Sequence, residues 1–417
     1  MGVRPGYKQT DVGVIPSDWE VKSVRDLGQI KTGPFGTLLK ADEYSRTDGV
    51  PLISVGEVGA GAFKVTAHTP RVPEKVVRRL PQYVLNCGDI VFGRKGAVDR
   101  SALVTEGEDG WFLGSDGISV RPLRLCHPPY LACQFQRHEV QAWLLQNAIG
   151  TTMASLNQGI LGRVQIPYAP IPEQRAIAEV LSDVDALLGA LDRLIAKKRD
   201  LKQAAMQQLL TGQTRLPGFH GEWDVRRLKA IVQIPVTDGP HLTPQFLVDG
   251  VPFLSVNNLI ENRIDFRDLR FISQADHELF SRKCKPRKND ILLGKAASVG
   301  KVALVDSDLE FNIWSPIALI RINSDNAPRF VYYQLQSADI VEQITLLTNS
   351  SSQGNIGMGD IEKLTLRLPA LDEQGAIAEV LGEMDAELSS LGQRRDKTRA
   401  LKQAMMQELL TGRTRLI

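Results

Sequence analysis

The chain has few of the residues that build metal or redox centres. Its 417 residues include four cysteines, Cys87, Cys126, Cys133 and Cys284, and six histidines. The cysteines form no CxxC pair and have no histidine at zinc-finger spacing, so neither a structural zinc site nor a dithiol centre is expected. We expect ordinary reduced thiols, with no metal and no cofactor.

Long apolar runs are also missing. No segment approaches the ~20 apolar residues of a membrane-spanning helix, and the start, MGVRPGYKQTDVGVIP, has no apolar signal-peptide core. Hydrophobic residues make up 43% of the chain and charged residues 24%, a balance typical of globular rather than disordered proteins. We therefore expect a cytoplasmic globular protein with no membrane partner.

Positive and negative side chains nearly balance, since the formal net charge is only +2. A nucleic-acid partner must therefore be judged from where cations cluster. The densest cluster lies in residues 281–288, which contain no acid and five cations: Arg282, Lys283, Lys285, Arg287 and Lys288. The segment is either a solvated surface loop or a phosphate-binding patch, and composition alone favours the former.

What the chain does have is an internal duplication. Residues 173–216 and 373–416 match at a constant offset of 200, with 27 of 44 positions identical. The segments between these copies match more faintly: DGVPLISV at 48–55 corresponds to DGVPFLSV at 249–256, and DIVFGR at 89–94 corresponds to DILLGK at 290–295. The duplication predicts two variable domains, 1–170 and 213–370, and two conserved helices, 171–212 and 371–417.

The conserved segments are predicted to be long paired helices. Pro172 and Glu173 suit a first helical turn, and Gly212 suits a C-terminal stop. In the first segment apolar or small residues recur every seven positions at Ile177, Val184, Leu191 and Ala205, interrupted by Lys198, and on a second line at Val180, Leu187, Leu194 and Leu201. The second segment keeps Ile377, Met384, Leu391 and Met405 on one line, with Leu381, Leu388 and Leu401 beside it.

This heptad pattern favours pairing of the two helices with each other, although each could instead pack only on its own domain. Chain order makes such a pair antiparallel and returns the C-terminus to the first domain. About 40 residues at 1.5 Å each give a helix of ~60 Å. The variable domains contain short β-rich runs such as DIVFG and SPIALIRI and shorter helical stretches, so the fold class is mixed α/β with a curved, mainly antiparallel sheet.

Segments that resemble catalytic motifs depart from them at decisive positions. The stretch 294–302, GKAASVGKV, has five residues between its glycines and Val where a phosphate loop needs Ser or Thr. Gly56, Gly59 and Gly61 fit a weak GxxGxG pattern that is better explained as a loop. The stretch 127–130, HPPY, resembles the Asp/Asn/Ser-Pro-Pro-aromatic motif of DNA amino-methyltransferases, but His127 replaces the residue that contacts the target amino group. We expect no catalytic residues.

Together these motifs resemble the specificity subunits of type I restriction-modification systems. The resemblance rests on PIPEQ at 170–174 and LDEQ at 371–374, each followed by AIAEVL, and on the helix exits LLTGQTRLPGFHGEW at 209–223 and LLTGRTRL at 409–416. The loops TGPFG at 32–36 and TDGPHLTP at 237–244 resemble loops of this family's target-recognition domains. Taken together these features are highly specific, and they cover essentially the whole chain.

The resemblance implies a non-catalytic subunit that binds double-stranded DNA. Each variable domain would be a target-recognition domain for one half of a bipartite site, and the antiparallel helices would form a coiled coil. The implied partners are two methyltransferase subunits, which methylate adenine at N6, and translocase-nuclease subunits where cleavage occurs. The alternative from another class is a coiled-coil scaffold whose variable domains bind proteins.

Within this assignment, cations near the conserved strands become candidate DNA contacts, because phosphate contacts position a protein on the duplex. Arg94 and Lys95 follow the DIVFG strand, and Lys295 follows the DILLG strand. The cluster at 281–288 is the expected phosphate patch of the second domain. Its looser counterpart in the first domain consists of Lys75, Arg78 and Arg79.

Overall fold

The computed structural model describes residues 4–150, 152–348 and 354–416. It divides into two compact units. The first contains the residues up to Asp192 and those from Arg394 onward, and the second contains Arg193–Gln393. Each unit therefore holds one variable domain together with one end of each conserved helix.

The first unit is mixed α/β, as predicted. Its strands are β1 (Tyr7–Thr10), β2 (Gly13–Pro16), β3 (Glu20–Ser23), β4 (Gly28–Thr32), β5 (Val50–Ile53), β6 (Arg71–Val72), β7 (Ile90–Gly93), β8 (Ser101–Leu103), β9 (Phe112–Leu113), β10 (Gly117–Pro122) and β11 (Gln165–Tyr168). Its shorter helices are α1 (Val24–Leu27), α2 (Glu74–Arg79), α3 (Pro128–Phe135), α4 (His138–Asn147) and α5 (Gln158–Gly162), with 3₁₀ turns at Ala41–Glu43 and Pro81–Tyr83.

The second unit repeats most of this order. Its strands are β12 (Asp224–Arg227), β13 (Thr237–Asp238), β14 (Val251–Leu254), β15 (Leu259–Ile260), β16 (Arg263–Ile264), β17 (Arg270–Ile272), β18 (Ile291–Gly294), β19 (Val302–Leu304), β20 (Asn312–Ile313), β21 (Ile317–Ile320) and β22 (Thr365–Leu368). Its described residues contain no counterpart of the β1–β2 hairpin, and it has the β15–β16 hairpin where the first unit has an isolated bridge between Val58 and Phe63. Its shorter helices are α7 (Gln274–Ser281), α8 (Pro328–Gln334), α9 (Ala338–Leu347) and α10 (Met358–Ile361), with 3₁₀ turns at Leu228–Ala230 and Val256–Asn258.

Sheet topology is the same in both units. The four-stranded antiparallel sheet has the order β4-β10-β7-β8 in the first and β13-β21-β18-β19 in the second. A second, three-stranded arrangement, β6-β5-β9 or β17-β14-β20, contains one parallel pair. Strands β7 and β18 are buried along their whole length, which accounts for their uninterrupted apolar sequences.

The conserved segments form two 39-residue helices, α6 (Ile171–Leu209) and α11 (Leu371–Leu409). At 1.5 Å per residue each is ~58 Å long. Both end three residues before a glycine, Gly212 or Gly412, whose positive φ of 72° or 68° favours glycine. Within the described ranges, no helix combines the length and apolarity needed to cross a membrane.

Burial along α6 corrects one line of the predicted heptad pattern. Leu187, Leu194 and Leu201 are 41%, 39% and 47% exposed, so this line does not face the partner helix. The inward line lies one residue later and consists of Leu181, Leu188, Ile195 and Lys202. In α11, likewise, Leu401 is 56% exposed and Lys402 takes the inward position. Val180 and Leu181, three and four residues after Ile177, both fit an apolar heptad line. The line that starts at Leu181 was not predicted because a lysine occupies one of its positions in each helix.

Ion pairs within each unit show that the helices run antiparallel. In the second unit Lys198 Nζ lies 2.7 Å from Glu387 Oε1, and Lys202 Nζ lies 2.7 Å from Asp385 Oδ1. Between these two pairs the residue number rises along α6, from 198 to 202, and falls along α11, from 387 to 385. In the first unit Lys402 makes the equivalent 2.7 Å pair with Asp185.

Each domain core is completed by the end of the helix that arrives from the other half of the chain. In the first unit Leu409 and Leu410 pack with Trp19, and Gln134 Nε2 donates a 2.9 Å hydrogen bond to the carbonyl of Leu410. In the second unit Gln334 Nε2 donates to the carbonyl of Leu210 at 2.8 Å. The residues after α11 therefore lie against the first domain, as chain order predicts.

Arginines after the helix ends fix these contacts. Arg415 contacts the buried carboxylate of Glu173 at 2.6 Å and Asp18 at 2.9 Å. Arg215 makes the equivalent bidentate pair with buried Glu373, with distances of 2.5 and 2.6 Å. Buried carboxylates are costly unless they are paired, so these arginines account for Glu at the start of both conserved segments.

Candidate nucleic-acid interface

In both units the same three loops meet at the end of the four-stranded sheet. We call the group formed by residues 33–36, 94–96 and 114–116 the first loop cluster, and the group formed by residues 239–244, 295–297 and 314–316 the second loop cluster. Backbone hydrogen bonds join each group: Arg94 N donates to Asp116 O at 2.8 Å, and Lys295 N donates to Pro316 O at 2.8 Å. The two loop motifs quoted from the sequence therefore lie beside the candidate cations that follow β7 and β18.

Glycine is required where these loops approach each other. A Cβ on Gly33 would lie 1.8 Å from the carbonyl oxygen of Gly114, and one on Gly239 would lie 1.7 Å from that of Ile313. No side chain fits in that space. The glycine before Pro34 or Pro240 thus sets the position of the exposed loop that follows.

The first loop cluster presents an aromatic ring and two cations. The guanidinium of Arg94 lies 4.7 Å from the ring centre of Phe35, which is 54% exposed. Lys95 Nζ lies 3.1 Å from Asp116 Oδ1, and both side chains are partly exposed. Ion pairs of this exposed kind are weak, so the ammonium of Lys95 is available to a phosphate.

The second loop cluster is built around the buried carboxylate of Asp238. Lys283 Nζ and Lys295 Nζ lie 2.5 and 3.0 Å from its two oxygens, and His241 Nε2 lies 3.2 Å away. Burial raises the pKa of Asp238, but the hydrogen bonds from Lys283 and Lys295 outweigh it and leave the pKa lowered. Lys295 occupies the position of Arg94, yet its side chain is only 12% exposed, so its charge serves mainly to compensate Asp238.

The basic segment 281–288 lies against this second cluster, because Lys283 also donates to the carbonyl of Gly239 at 3.2 Å. Two further lysines of the segment are paired with acids from another loop, Lys285 with Glu310 at 2.5 Å and Lys288 with Asp308 at 3.3 Å. Arg282 and Arg287 are exposed, and their guanidinium groups make no ion pair within the described part of the chain. The segment 281–288 itself contains no acid, but the fold places acidic side chains from other parts of the chain beside its lysines.

The first-unit counterpart lies on helix α2, and its three cations differ in their partners. Arg79 donates to the carbonyl of Leu38 at 3.0 Å and pairs with Glu43, which places the helix beside the chain that leaves the first loop cluster. Arg78 makes a fully exposed pair with Glu74, and Lys75 is exposed. In each unit the fold thus brings a Gly-Pro loop, a post-strand cation and a basic segment into one neighbourhood.

The segments that resembled catalytic motifs have structural roles. Residues 295–301 connect antiparallel strands β18 and β19, whereas a phosphate loop connects a strand to a helix. His127 precedes α3, and Tyr130 is fully buried with its hydroxyl donating to the carbonyl of Pro167 at 2.7 Å. No group of three His, Cys, Asp or Glu residues in the described ranges could hold a metal ion.

Sequence reasoning missed Phe35, Asp238 and His241 as members of these clusters. The loop motifs that contain these three residues were recognised in the sequence, but only cations elsewhere in the chain were considered as candidate DNA contacts. An acid immediately before Gly-Pro in both copies would have been a signal, but the first copy has Thr32 where the second has Asp238. The pairing of Asp238 with lysines 45 and 57 residues away depends on tertiary structure.

Comparison with known proteins agrees with this architecture. The family model for the type I restriction modification DNA specificity domain matches twice, at residues 16–197 and 220–397. The MjaVIII type I restriction enzyme specificity subunit of Methanocaldococcus jannaschii is 23% identical, with 96% of this chain and 94% of the relative covered. The EcoBI specificity subunit of Escherichia coli is 23% identical over 85% of this chain and 77% of the relative.

Among solved structures, the type I restriction-modification S subunit of M. genitalium has the same fold. Its TM-score is 0.61 at 15% identity, with 98% of this chain and 99% of that chain covered. The two family matches fall on the two halves of the duplication and together span most of the sequence. The chain belongs to the family of type I restriction-modification DNA specificity subunits.

Proposed function

We propose that this protein binds double-stranded DNA, that each unit recognises one half of a bipartite site, and that the bound complex positions methyltransferase subunits for adenine N6 methylation. Restriction subunits would add cleavage where they are present. The chain itself would carry no catalytic group and would act in the cytoplasm, where the cell's DNA is accessible to it. These partners are those that the family relationship implies.

One structural observation carries the proposal most directly: both units place a glycine-fixed loop beside a post-strand cation and a basic segment. Loops offer polar groups for base edges, while cations bind phosphates and fix the register of the protein on the duplex. A base that is to be methylated must leave the helical stack, and this requires the enzyme to be held in register by another surface. Two such surfaces in one chain suit a split site.

Among the candidate residues, exposure and pairing separate two roles. We assign phosphate contact to the exposed cations Lys95, Lys75, Arg282 and Arg287, to the half-buried Arg94 beside Phe35, and to the solvent-exposed pairs of Arg78, Lys285 and Lys288. Lys283 and Arg79 donate hydrogen bonds to the carbonyls of Gly239 and Leu38, and Lys295 forms an ion pair with Asp238, so we assign these three cations to positioning of the loops. The positive charges of these three side chains can still attract DNA phosphates.

The salt dependence of DNA binding tests this assignment. Replacing Arg282 and Arg287 together with Ala should weaken binding of the assembled complex to all sequences. The slope of log affinity against log salt should fall by up to about two units, since each phosphate contact contributes about 0.9.

Arg267→Ala is the matched control, because Arg267 is 87% exposed in the same unit but lies outside both the basic segment 281–288 and the second loop cluster. Its slope should equal that of the wild-type protein. An unchanged slope for the folded double variant would refute the phosphate assignment. If the wild-type complex protected no DNA at all, the coiled-coil scaffold would be the better explanation.

A further inference from the structure

A loop after helix α4 adds two exposed apolar side chains to the neighbourhood of the first loop cluster. We call residues 149–150 and 152–155 the apolar loop, in which Ile149 and Met153 are each 59% exposed. Gly150 has a φ of 112°, and a Cβ there would lie 2.4 Å from the carbonyl oxygen of Met153, so this turn requires glycine. Apolar side chains that are exposed together are typical of an interaction surface.

Backbone hydrogen bonds join the apolar loop to the cations that follow β7. Ser155 pairs with Ile149 through two hydrogen bonds, with N–O distances of 2.9 and 2.8 Å. Ser155 also pairs with Lys95 on its other side, where Gly96 N donates to Ala154 O at 2.8 Å. Residues paired across antiparallel segments direct their side chains to the same face. Ile149, Ser155 and Lys95 therefore form one row, with an apolar side chain at one end and a cation at the other.

The width of this row suits the major groove of DNA. The Cα atoms of antiparallel partners lie about 5.5 Å apart in a hydrogen-bonded pair and about 4.5 Å apart in the other kind of pair, so the row is about 10 Å across. The major groove is about 12 Å wide and admits a β-ribbon. With Lys95 at a phosphate, the apolar end of the row lies over base edges. The apolar group that base edges present in this groove is the C5-methyl group of thymine.

The second half of the sequence has polar residues at the matching positions. At the offset of 200, Asn349 and Gln353 stand in place of the two apolar residues, and both lie outside the described residues. The backbone pairing recurs where the structure describes it, since Asn355 pairs with Ala296. Asn and Gln side chains pair with the edge of adenine, whereas apolar side chains contact the thymine methyl group. The duplicated frame therefore carries different side-chain chemistry in its two halves.

We propose that Ile149 and Met153 recognise the C5-methyl groups of thymines in the half-site bound by the first unit. The inference rests on the proposed DNA binding and adds which residues distinguish which base. Burying one methyl group against an apolar side chain should favour each contacted thymine about fourfold over uracil. Lys95 holds the row at the DNA backbone and contributes no preference for sequence.

Competition binding of the assembled wild-type complex to duplexes that contain 2′-deoxyuridine tests this inference. Methylome sequencing defines the site, and the first unit's half is the one that stays unchanged when residues 222–370 are exchanged for those of a relative. Each thymine is then replaced singly with deoxyuridine, which removes the methyl group and keeps the Watson–Crick edge. At least one replacement in the first half should weaken binding about fourfold. If the complex prefers its site but no such replacement weakens binding, the inference is wrong, whereas a complex that prefers no site would refute the proposed function.

The double variant Ile149→Ala, Met153→Ala connects the methyl effect to these side chains. Both residues are exposed, so the Tm should stay close to that of the wild-type protein, and the variant should bind thymine and deoxyuridine duplexes equally. Leu125→Ala is the matched control, because Leu125 is 71% exposed but follows the opposite end of strand β10 from the first loop cluster. It should keep the wild-type preference for thymine. A double variant that keeps this preference would overturn the assignment of these two residues.

Discussion

Asp238 is the residue on which the second loop cluster depends. A buried carboxylate left without its cations, or cations left without it, is strongly unfavourable. Asp238→Asn should therefore lower the free energy of unfolding at pH 7 by about 3 kcal/mol. Asp116→Asn in the first loop cluster is the matched control, and it should cost less than about 1 kcal/mol because Asp116 and Lys95 are both partly exposed. Urea denaturation followed by tryptophan fluorescence measures both, and equal losses would contradict this role.

Asp238 should also make the stability of the protein depend on pH. The folded protein lowers the pKa of Asp238, so the native state binds fewer protons than the unfolded state near that pKa. The stabilisation should be complete above the unfolded value of about 4 and should disappear as the pH falls through the lower folded value. The difference in stability between wild type and Asp238→Asn should thus shrink below about pH 4. A difference that stays constant down to pH 3 would exclude the ionised carboxylate as its source.

At the scale of elements, the Gly-Pro loops are held by close backbone approach. Gly33→Ala would force its Cβ against the carbonyl oxygen of Gly114, and we expect a loss of about 1–3 kcal/mol together with weaker binding to one half-site. Gly36→Ala in the same loop is the control, because a Cβ there meets nothing within 4 Å. Its stability should stay within about 0.5 kcal/mol of wild type. Similar losses for the two variants would show that the close approach does not fix the loop.

Elements also show where sequence reasoning succeeded and where it stopped. The duplication and the buried strands β7 and β18 were predictable, because a repeat and an apolar run are local patterns. The inward face of α6 was half right: the Ile177 line was correct, but the pattern preferred Leu201 to Lys202. A lysine at an inward position is stabilised by a carboxylate of the other helix, Asp385, and heptad spacing contains no information about that contact.

The prediction of the candidate nucleic-acid interface from the sequence had a similar limit. The cations that follow β7 and β18 were identified from their positions after conserved strands. Which of these cations are paired was not predictable, because Lys283 and Lys295 share the carboxylate of Asp238, and Lys285 pairs with Glu310, through tertiary contacts.

At the scale of the whole molecule, the helices α6 and α11 should set the gap between the two half-sites. Inserting one heptad into both, near Lys198 and Thr398, preserves the heptad register and lengthens each helix by ~10 Å, equivalent to about three base pairs. Three base pairs rotate the duplex by about 100°, whereas seven residues leave a helix only ~20° from a full repeat. We therefore expect near-complete loss of binding to the original site, with at best weak binding at altered spacing and unchanged half-sites.

Competition binding across a DNA library that varies only the spacer length measures this effect. The inserted variant should first be shown to retain its helical content and its assembly with the methyltransferase subunits. Full affinity for the original spacing would exclude the helices as the determinant of the gap.

Each unit is proposed to recognise its own half of the DNA site, and methylome sequencing of cells that carry a domain exchange can measure this. Residues 222–370 would be replaced with the equivalent domain of a relative whose bipartite site differs in both halves. Methylated adenines should then lie in sites with one new half, one original half and an unchanged spacer. A change in both halves, or in neither, would contradict this proposal.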